Sequence, residues 1–376
     1  METVGIVCEY NPMHLGHLYQ IKQIKKMYPD SIIVIVTNSC FTERGDISIV
    51  NKWEKTKVAL DNNVDIVIEL PFVYACQSAD LFAKGAISLL NTLGVSTLVF
   101  GSETDNVDMF RKVVDTQLFN KDYDRIVLKY LDNGINYPTA MAKALYDILG
   151  INIDKPNDLL AISYIKEIIK NNYNIDYVSI KRTNSYHGRN IEDKFVNASL
   201  IREMILNDKD VSNYIAPNIK YYSNLSIEKA FPFLKYQVMI NNVSNIQTVD
   251  EGIENRIKKL INTCYSWDEL EKKIKTKRYT YNKINRMLLH ILTNFTKEEA
   301  NNISIDYLRI LGFSAEGQKY LNRIKKSIDI PIITHYKKNI SKVLDIEFRI
   351  NSLYSYITED FQLISDEYNK KPIIKK

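Results

Sequence analysis

The chain has 376 residues, 45% of them hydrophobic and 25% charged, with a formal net charge of +5. That is length enough for two domains with real cores, and no apolar run approaches the roughly eighteen residues of a membrane span. Residues 1–150 hold 14 Lys/Arg against 18 Asp/Glu and residues 151–376 hold 36 against 27, so an acidic front precedes a basic back. This asymmetry suggests chemistry in one half and polyanion docking in the other. Cys8, Cys40, Cys76 and Cys264 lack CxxC spacing and fit the reduced thiols of a cytoplasmic protein. The opening METVGIVCEY has no basic n-region and reads as a strand, not a signal peptide.

In chain order, TVGIVC (3–8) and SIIVIVT (31–37) are β-rich apolar runs, and the polar stretch 20–28 between them is helix-compatible. DIVIEL (65–70) predicts a third strand, residues 78–94 a helix stopped by Gly94, and TLVFGSE (97–103) a fourth strand. Strands alternating with helices require crossover connections and a parallel sheet, and such sheets bind ligands beyond the carboxyl ends of their strands. Residues 136–150 and 155–170 predict helices, YVSIKR (177–182) a last strand and 195–205 another helix. Past about 206 the alternation gives way to longer amphipathic segments, LSIEKAFPFLKYQVMI, EGIENRIKKLINTC and YNKINRMLLHILTNF, which predict a mainly helical part. The terminal KKPIIKK reads as a frayed tail. The expected organisation is an α/β, Rossmann-like domain over 1–206 followed by a mainly helical, basic domain over 207–376.

CEYNPMHLGHLYQ (8–20) follows the first strand directly and sets His14 and His17 three residues apart around Gly16. Metal ligation by two helical histidines wants i, i+4 spacing and a third ligand, and neither stands nearby, so no metal ligands are expected. A phosphate site fits better. Asn11-Pro12 turns the chain after the strand, Gly16 lets backbone approach a ligand closely, and the following helix offers free N–H groups and its positive dipole end. Two imidazoles held there can donate hydrogen bonds to phosphate oxygens. The plainer alternative is that the histidines merely cap the helix.

A strand followed by HxGH at a helix start, in a Rossmann-like sheet, resembles the nucleotidylyltransferase superfamily, which shares this signature with class I aminoacyl-tRNA synthetases. A second element of that superfamily, a Ser/Thr-rich turn ending in Ile-Arg, is similar to Asn197-Ala198-Ser199-Leu200-Ile201-Arg202. Ser199 and Arg202 match, while Asn197 and Ala198 replace the usual hydroxyl residues. GIVCEYNPMHLGH, the FTERGD-to-NKW segment (41–53), VDIVIELPF, QSADLFAKGAI, FGSE, YPTA, KPND and IKR occur in this order. Together they resemble the bacterial tRNA-Met cytidine acetate ligases, and KTKRYTYNKINRMLLHIL (275–292) and LRILGFSAEGQKYL (308–321) extend the likeness over nearly the whole chain. Thr37–Cys40 departs from the family's Met-Ser-Gly type of turn, Glu43 stands for a usual Gln, and Asp158 for a second Asn.

The resemblance implies an enzyme that activates acetate with ATP to acetyl-adenylate, releases pyrophosphate, and acetylates N4 of the wobble cytidine of elongator tRNA-Met. It puts ATP contacts on Val7, Cys8, Glu9, Tyr10, Asn11, Pro12, Met13, His14, Leu15, Gly16, His17, Leu18, Tyr19 and Gln20, and on Gly101, Asn157 and Arg182. Ser199 would add a hydroxyl to phosphate. Mg²⁺ is expected with ATP, held mainly by phosphates and water. Acetate and the tRNA are the expected partners, with neither membrane nor DNA.

Adenylation needs positioning and charge stabilisation, not a covalent nucleophile of the enzyme. His14 and His17 are expected as donors to the phosphates and Arg182 as a cationic clamp; these three form the expected catalytic set. Lys181 is a further cation or a solvated lysine at a strand end. Gly101 admits ribose or base, or is a plain turn glycine. Asn157 reads adenine or caps the helix beginning at Asp158. Residues 256–286 carry ten Lys/Arg against three acids, with Tyr265, Trp267, Tyr279 and Tyr281 interleaved. Basic groups answer phosphates and aromatics stack on unpaired bases, as against a solvated helix face with tyrosines half in the core. Two other functions stay open: a small-molecule adenylyl- or cytidylyltransferase or other acid-activating ligase of this fold, and a catalytically silent RNA-binding protein.

Overall fold

A computed structural model describes residues 2–182 and 195–375. Five strands run parallel: β1 (Thr3–Cys8), β2 (Ile32–Asn38), β3 (Ile66–Leu70), β4 (Thr97–Ser102) and β5 (Asp176–Lys181). Every residue of β2 and β3 is buried, which is why both read as unbroken apolar runs: helices cover the sheet on both faces. The helices Ala79–Thr92 and Pro156–Lys170 pack against each other, the first also on β2 and β3 and the second on β4. The order β5-β4-β1-β2-β3 makes β1 the strand from which the chain builds outward in both directions. A crevice opens at such a switch point, beyond the strand ends. The stretch 8–20 leaves the sheet there, and its helix, Leu15–Met27, starts earlier than the polar stretch 20–28 suggested.

The chain past 206 is mainly helical, with three short strands besides. β6 (Leu308–Ser314) pairs antiparallel with β3, while β7 (Ile332–Ile333) and β8 (Ile373–Lys375) pair parallel with β6. The expected frayed tail is therefore strand β8 up to Lys375, with Lys376 outside the described residues. Ile373 and Ile374 lie opposite Gly312 and Phe313 of β6, and Lys375 Nζ donates to Leu60 O at 2.5 Å. A run of seven residues with lysines at both ends looks like a solvated tail; an open sheet edge gives it backbone partners instead.

Four charges are sealed where β6 meets β3. Arg309 Nη1 lies 2.6 Å from Glu367 Oε2 and 3.3 Å from Glu69 Oε2, and Lys52 Nζ lies 2.6 Å from the other oxygen of each carboxylate. All four side chains are essentially fully buried. Burial alone would raise the Glu367 carboxyl, but Arg309 and Lys52 hold it below the usual range. The long Lys342–Thr358 helix adds further ties to the segments that follow β2 and β3: Glu347 accepts the Phe72 N–H at 2.6 Å and Tyr354 donates to Ser48 O at 2.6 Å.

Removing one partner from a buried charge set leaves the others uncompensated, at a cost of about 3–5 kcal/mol. Arg309→Ala should lower the unfolding free energy in urea by about that much, and Glu69→Gln or Glu367→Gln in the Arg309→Ala background should restore part of it.

Candidate nucleotide and acyl-transfer site

The loop after β1 is built around the needs of a helix start, whose first N–H groups have no partner within the helix. His14 supplies one, its Nδ1 accepting the Gly16 N–H at 3.1 Å, and His17 Nδ1 reciprocates by accepting the His14 N–H at 3.1 Å. Both histidines therefore cap the helix. That does not exhaust them, because an imidazole whose Nδ1 accepts carries its one proton on Nε2. The rings stack with centroids 3.7 Å apart, and the Tyr10 ring lies 4.8 Å from His17. Burial, then the charge of Arg182, push His14 down to about 3; burial with His14 and Arg182 lowers His17 well below an ordinary imidazole. The pair presents two neutral N–H donors. Gly16 has a reason internal to the loop: a Cβ there would stand 2.9 Å from His14 Cε1. The close approach it permits is that of the His14 ring.

An open cleft beyond the ends of β1 and β4 is lined by Val7, Cys8, Glu9, Tyr10, Asn11, His14, His17, Gln20, Gly101, Asn157, Arg182 and Ser199. A smaller adjoining pocket adds Gly16, Tyr19 and the exposed Lys181. Pro12, Met13, Leu15 and Leu18, expected among the ATP contacts, do not line either. Met13 is fully buried and Leu18 packs against the core, since a helix start must turn some of its residues inward. Backbone from elsewhere grips this loop: the Ala216 N–H donates to Met13 O and the Leu15 N–H to Tyr214 O, each at 2.9 Å. Nothing in the sequence marked Tyr214–Ala216.

Arg182 leaves β5 with its N–H on Ser102 O at 2.8 Å, and its Nε is buried without a hydrogen-bond partner. Gly101 belongs to β4 and not to a turn, and a Cβ there would stand 3.4 Å from Arg182 Cγ. Asn157 does not cap its helix, whose cap is Lys155; it is the second helical residue and its Nδ2 donates to Glu103 Oε1 at 2.5 Å. Asp158 is buried and accepts from Ser102 Oγ at 2.6 Å, from the Glu103 N–H at 3.0 Å and from the Thr104 hydroxyl. The departure from Asn at this position thus supplies the carboxylate that holds the FGSE turn. Ser199 is the second residue of the Ala198–Leu206 helix, whose cap Asn197 accepts the Leu200 N–H at 2.9 Å. Arg202 lies in this cleft too, donating to Asn11 O at 3.0 Å and paired with Asp46 at 2.9 Å.

A tight loop over residues 42–46 closes the other side. Glu9 Oε1 accepts the Glu43 N–H at 2.7 Å; Glu43 in turn receives Arg286 Nη1 on its carboxylate at 3.1 Å and on its carbonyl at 2.9 Å. Gly45 has φ +82°, and a Cβ on it would come within 2.7 Å of the Arg286 nitrogen, so the loop lies flat on the Tyr281–Leu292 helix. Beneath it, the Lys55 ammonium donates to Asn38 Oδ1 at 2.9 Å, and burial lowers it to about 8. Among the described residues no group of three or more His, Cys, Asp and Glu is placed to hold a metal ion.

The family model described as HIGH Nucleotidyl Transferase matches residues 1–369. The tRNA(Met) cytidine acetate ligase of Oceanobacillus iheyensis is 38% identical, with 94% of each chain covered. That of Fusobacterium nucleatum is 35% identical and covers 100% of this chain and 99% of its own. The chain belongs to the tRNA(Met) cytidine acetate ligases of the HIGH nucleotidyl transferase family. Solved structures agree: Thermotoga maritima TmcAL in its apo form has TM-score 0.91 at 25% identity, covering 100% of this chain and 99% of that one. The same protein bound with alpha-thio ATP has TM-score 0.89 at 26% identity over the same shares.

In this member of the acetate ligase family the basic segment divides. Trp267 and Tyr279 are core residues, 2% and 5% exposed, whereas Tyr265 and Tyr281 are 86% and 49% exposed. Several of its cations have protein partners: Arg286 on Glu43, Arg256 on Lys273 O, Lys272 on Asp268 and Lys273 on Glu269. Tyr236 and Met239 on the Phe231–Ile240 helix are also exposed, and Lys235 stands 5.9 Å over the Tyr265 ring. LSIEKAFPFLKYQVMI is legible as an amphipathic helical segment, and only its packing shows that Tyr236 and Met239 face outward.

The tautomer assignment is measurable. Histidine side-chain NMR should show His14 and His17 as neutral Nε2–H imidazoles from about pH 8 down to about pH 5, with His14 gaining a proton only toward about pH 3. A ring titrating near the ordinary 6.5 would contradict it.

Proposed function

We propose that this chain activates acetate with ATP to acetyl-adenylate, releasing pyrophosphate, and transfers the acetyl group to N4 of the wobble cytidine of elongator tRNA-Met. The observation that carries the reading is the pair of neutral histidines, committed through Nδ1 to the backbone and left with Nε2–H for a ligand, beside the unpartnered Arg182 Nε. The names of the relatives and the alpha-thio ATP bound by T. maritima TmcAL support the substrates.

In-line attack of an acetate oxygen on the α-phosphorus moves negative charge onto the oxygen bridging to the leaving pyrophosphate. His14 and His17 donate to phosphate oxygens there, strengthening as charge grows, while the start of the Leu15–Met27 helix adds its dipole. Being neutral already, the rings need no proton change during the step. Arg182 supplies the fixed positive charge. Glu103 and Asp158 hold the β4 turn and Asn157 in place beside it. Mg²⁺ enters with the nucleotide, held by phosphate oxygens and water. In this reading residues 1–206 adenylate and residues 207–376 dock the tRNA, in the cytoplasm, where four buried free thiols are stable.

The test is ATP-dependent transfer of labelled acetate into bulk tRNA by wild type and His17→Ala. Wild type should place label on cytidine N4. Losing one preorganised donor costs ~2.7–4 kcal/mol, so His17→Ala should be slower by roughly 100-fold or more. No label with wild type, while ATP still binds, would reject acetate as the acid.

A further inference from the structure

We propose that Glu9 is the general base of acetyl transfer, accepting the proton of the cytidine N4 as that nitrogen attacks the acyl carbon. The assignment rests on the acetate ligase reading and deepens it by naming the group that receives the proton.

The chemistry requires such a group. The exocyclic amine of cytidine is a weak nucleophile, its lone pair delocalised into the ring, and it turns acidic as it bonds to the carbonyl carbon. A bond forms between N4 and the acyl carbon, the N–H electron pair stays on nitrogen, and the proton passes to the Glu9 carboxylate. The acyl C–O bond then breaks and AMP leaves with that oxygen; Glu9 returns its proton to water. Atoms and charge balance with no further reactant.

The other candidates in the cleft and just behind it have partners among the described residues. His14 and His17 accept backbone N–H groups on Nδ1 and already carry a proton on Nε2. Glu43 is paired with Arg286 and Asp46 with Arg202. Asp158 accepts from Ser102, Glu103 and Thr104, and both oxygens of Glu103 accept from Asn157 and Asp158. Among the described residues Glu9 is held by a single N–H, that of Glu43 on Oε1 at 2.7 Å, which orients the carboxylate and leaves Oε2 for a substrate.

Its position is also apt. His14, His17 and Arg182 gather toward β4 and β5, where the smaller pocket joins the cleft. Glu9 faces the opposite side, linked through Glu43 to Arg286 on the Tyr281–Leu292 helix of the basic segment. Phosphates and base thus have separate walls, with the acyl carbon between. Burial, aided by the Glu43 charge, raises Glu9 to about 7, against the Glu43 N–H and the charges of Lys55 and Arg44, and a base tuned near the working pH is the effective kind. The groups facing it are Cys8 and Tyr10 on its own segment, Glu43 and Arg44 on the loop, Lys55 on the Lys52–Asp61 helix and Tyr164 on the Pro156–Lys170 helix. Burial raises Cys8 to about 12 and lifts both tyrosines, so these three stay neutral while Glu9 titrates.

The experiment compares wild type, Glu9→Gln and Glu9→Asp in two assays on the full-length enzyme: acetate-dependent exchange of labelled pyrophosphate into ATP, and single-turnover acetyl transfer to tRNA from the enzyme-bound adenylate. Gln keeps an oxygen for the Glu43 N–H. General-base catalysis is worth about 10²–10⁴-fold, so Glu9→Gln should slow transfer at least about 100-fold more than exchange. Wild-type transfer should rise through about pH 7 as Glu9 loses its proton; Glu9→Gln should lose that rise and Glu9→Asp should keep it. Equal losses in the two assays, or transfer in Glu9→Gln that still rises through that range, would overturn the assignment. No acetate-dependent exchange in wild type would instead overturn the acetate ligase reading, and the assignment with it.

Discussion

Two charges from the first half of the chain, Lys52 and Glu69, meet two from the second, Arg309 and Glu367, in an interior from which water is excluded. Each cation touches both carboxylates, so no member can leave without stranding a charge. Against an apolar core of the same volume such a set adds little net stability, but it penalises every alternative pairing of β6 heavily. That is its consequence for the molecule: β6 docks on β3 in one register, and the helices attached to it are carried to one place. The Arg286–Glu43–Glu9 chain of contacts, only a few ångströms per link, likewise joins the second half of the chain to the first.

At the carboxyl end of β1 the governing constraint is an unsatisfied helix start. Many helices solve it with a hydroxyl or carboxylate cap; here two imidazoles do it for each other. The choice has an electrostatic result that a carboxylate cap would not. The N-terminus of the Leu15–Met27 helix keeps its attraction for anions, no negative charge repels a phosphate, and two N–H donors point away from the backbone they cap. A cationic histidine pair would attract phosphate more strongly at long range, but two charges stacked at 3.7 Å in a buried site would repel each other. A fixed positive charge is supplied instead by Arg182, two strands over at the end of β5.

Much of this was legible in the residues. Alternating apolar runs predicted the parallel sheet, and the position of HLGH after the first strand placed the site at the strand ends. What escaped involved partners distant in sequence. LRILGFS gave no hint that it would pair with IVIEL more than two hundred residues earlier, and KKPIIKK looked solvated because its pairing edge is not local. Trp267 and Tyr279 looked like stacking residues, yet their neighbours bury them, while Tyr236, in a segment read only as an amphipathic helix, proves exposed. Asn157 was expected either to read adenine or to cap its helix; Lys155 takes the cap, and Asn157 lines the cleft with its amide donating to Glu103.

By itself the sequence determined the fold class and the family and pointed to the candidate site, since these rest on local periodicity and on short motifs whose residues act within one turn of each other. Only the tertiary structure decided which carboxylate is free to act. Glu9, Glu43, Asp46, Glu103 and Asp158 are alike as letters; their difference lies in which donors and cations the fold brings within about 3 Å of each. Four are spoken for by Arg286, Arg202, Asn157 and the turn at 102–104, and half-buried Glu9 has, among the described residues, one N–H. The reason is physical: a carboxylate's reactivity is set by solvation and neighbours across space, and those neighbours here come from five separate segments of the chain.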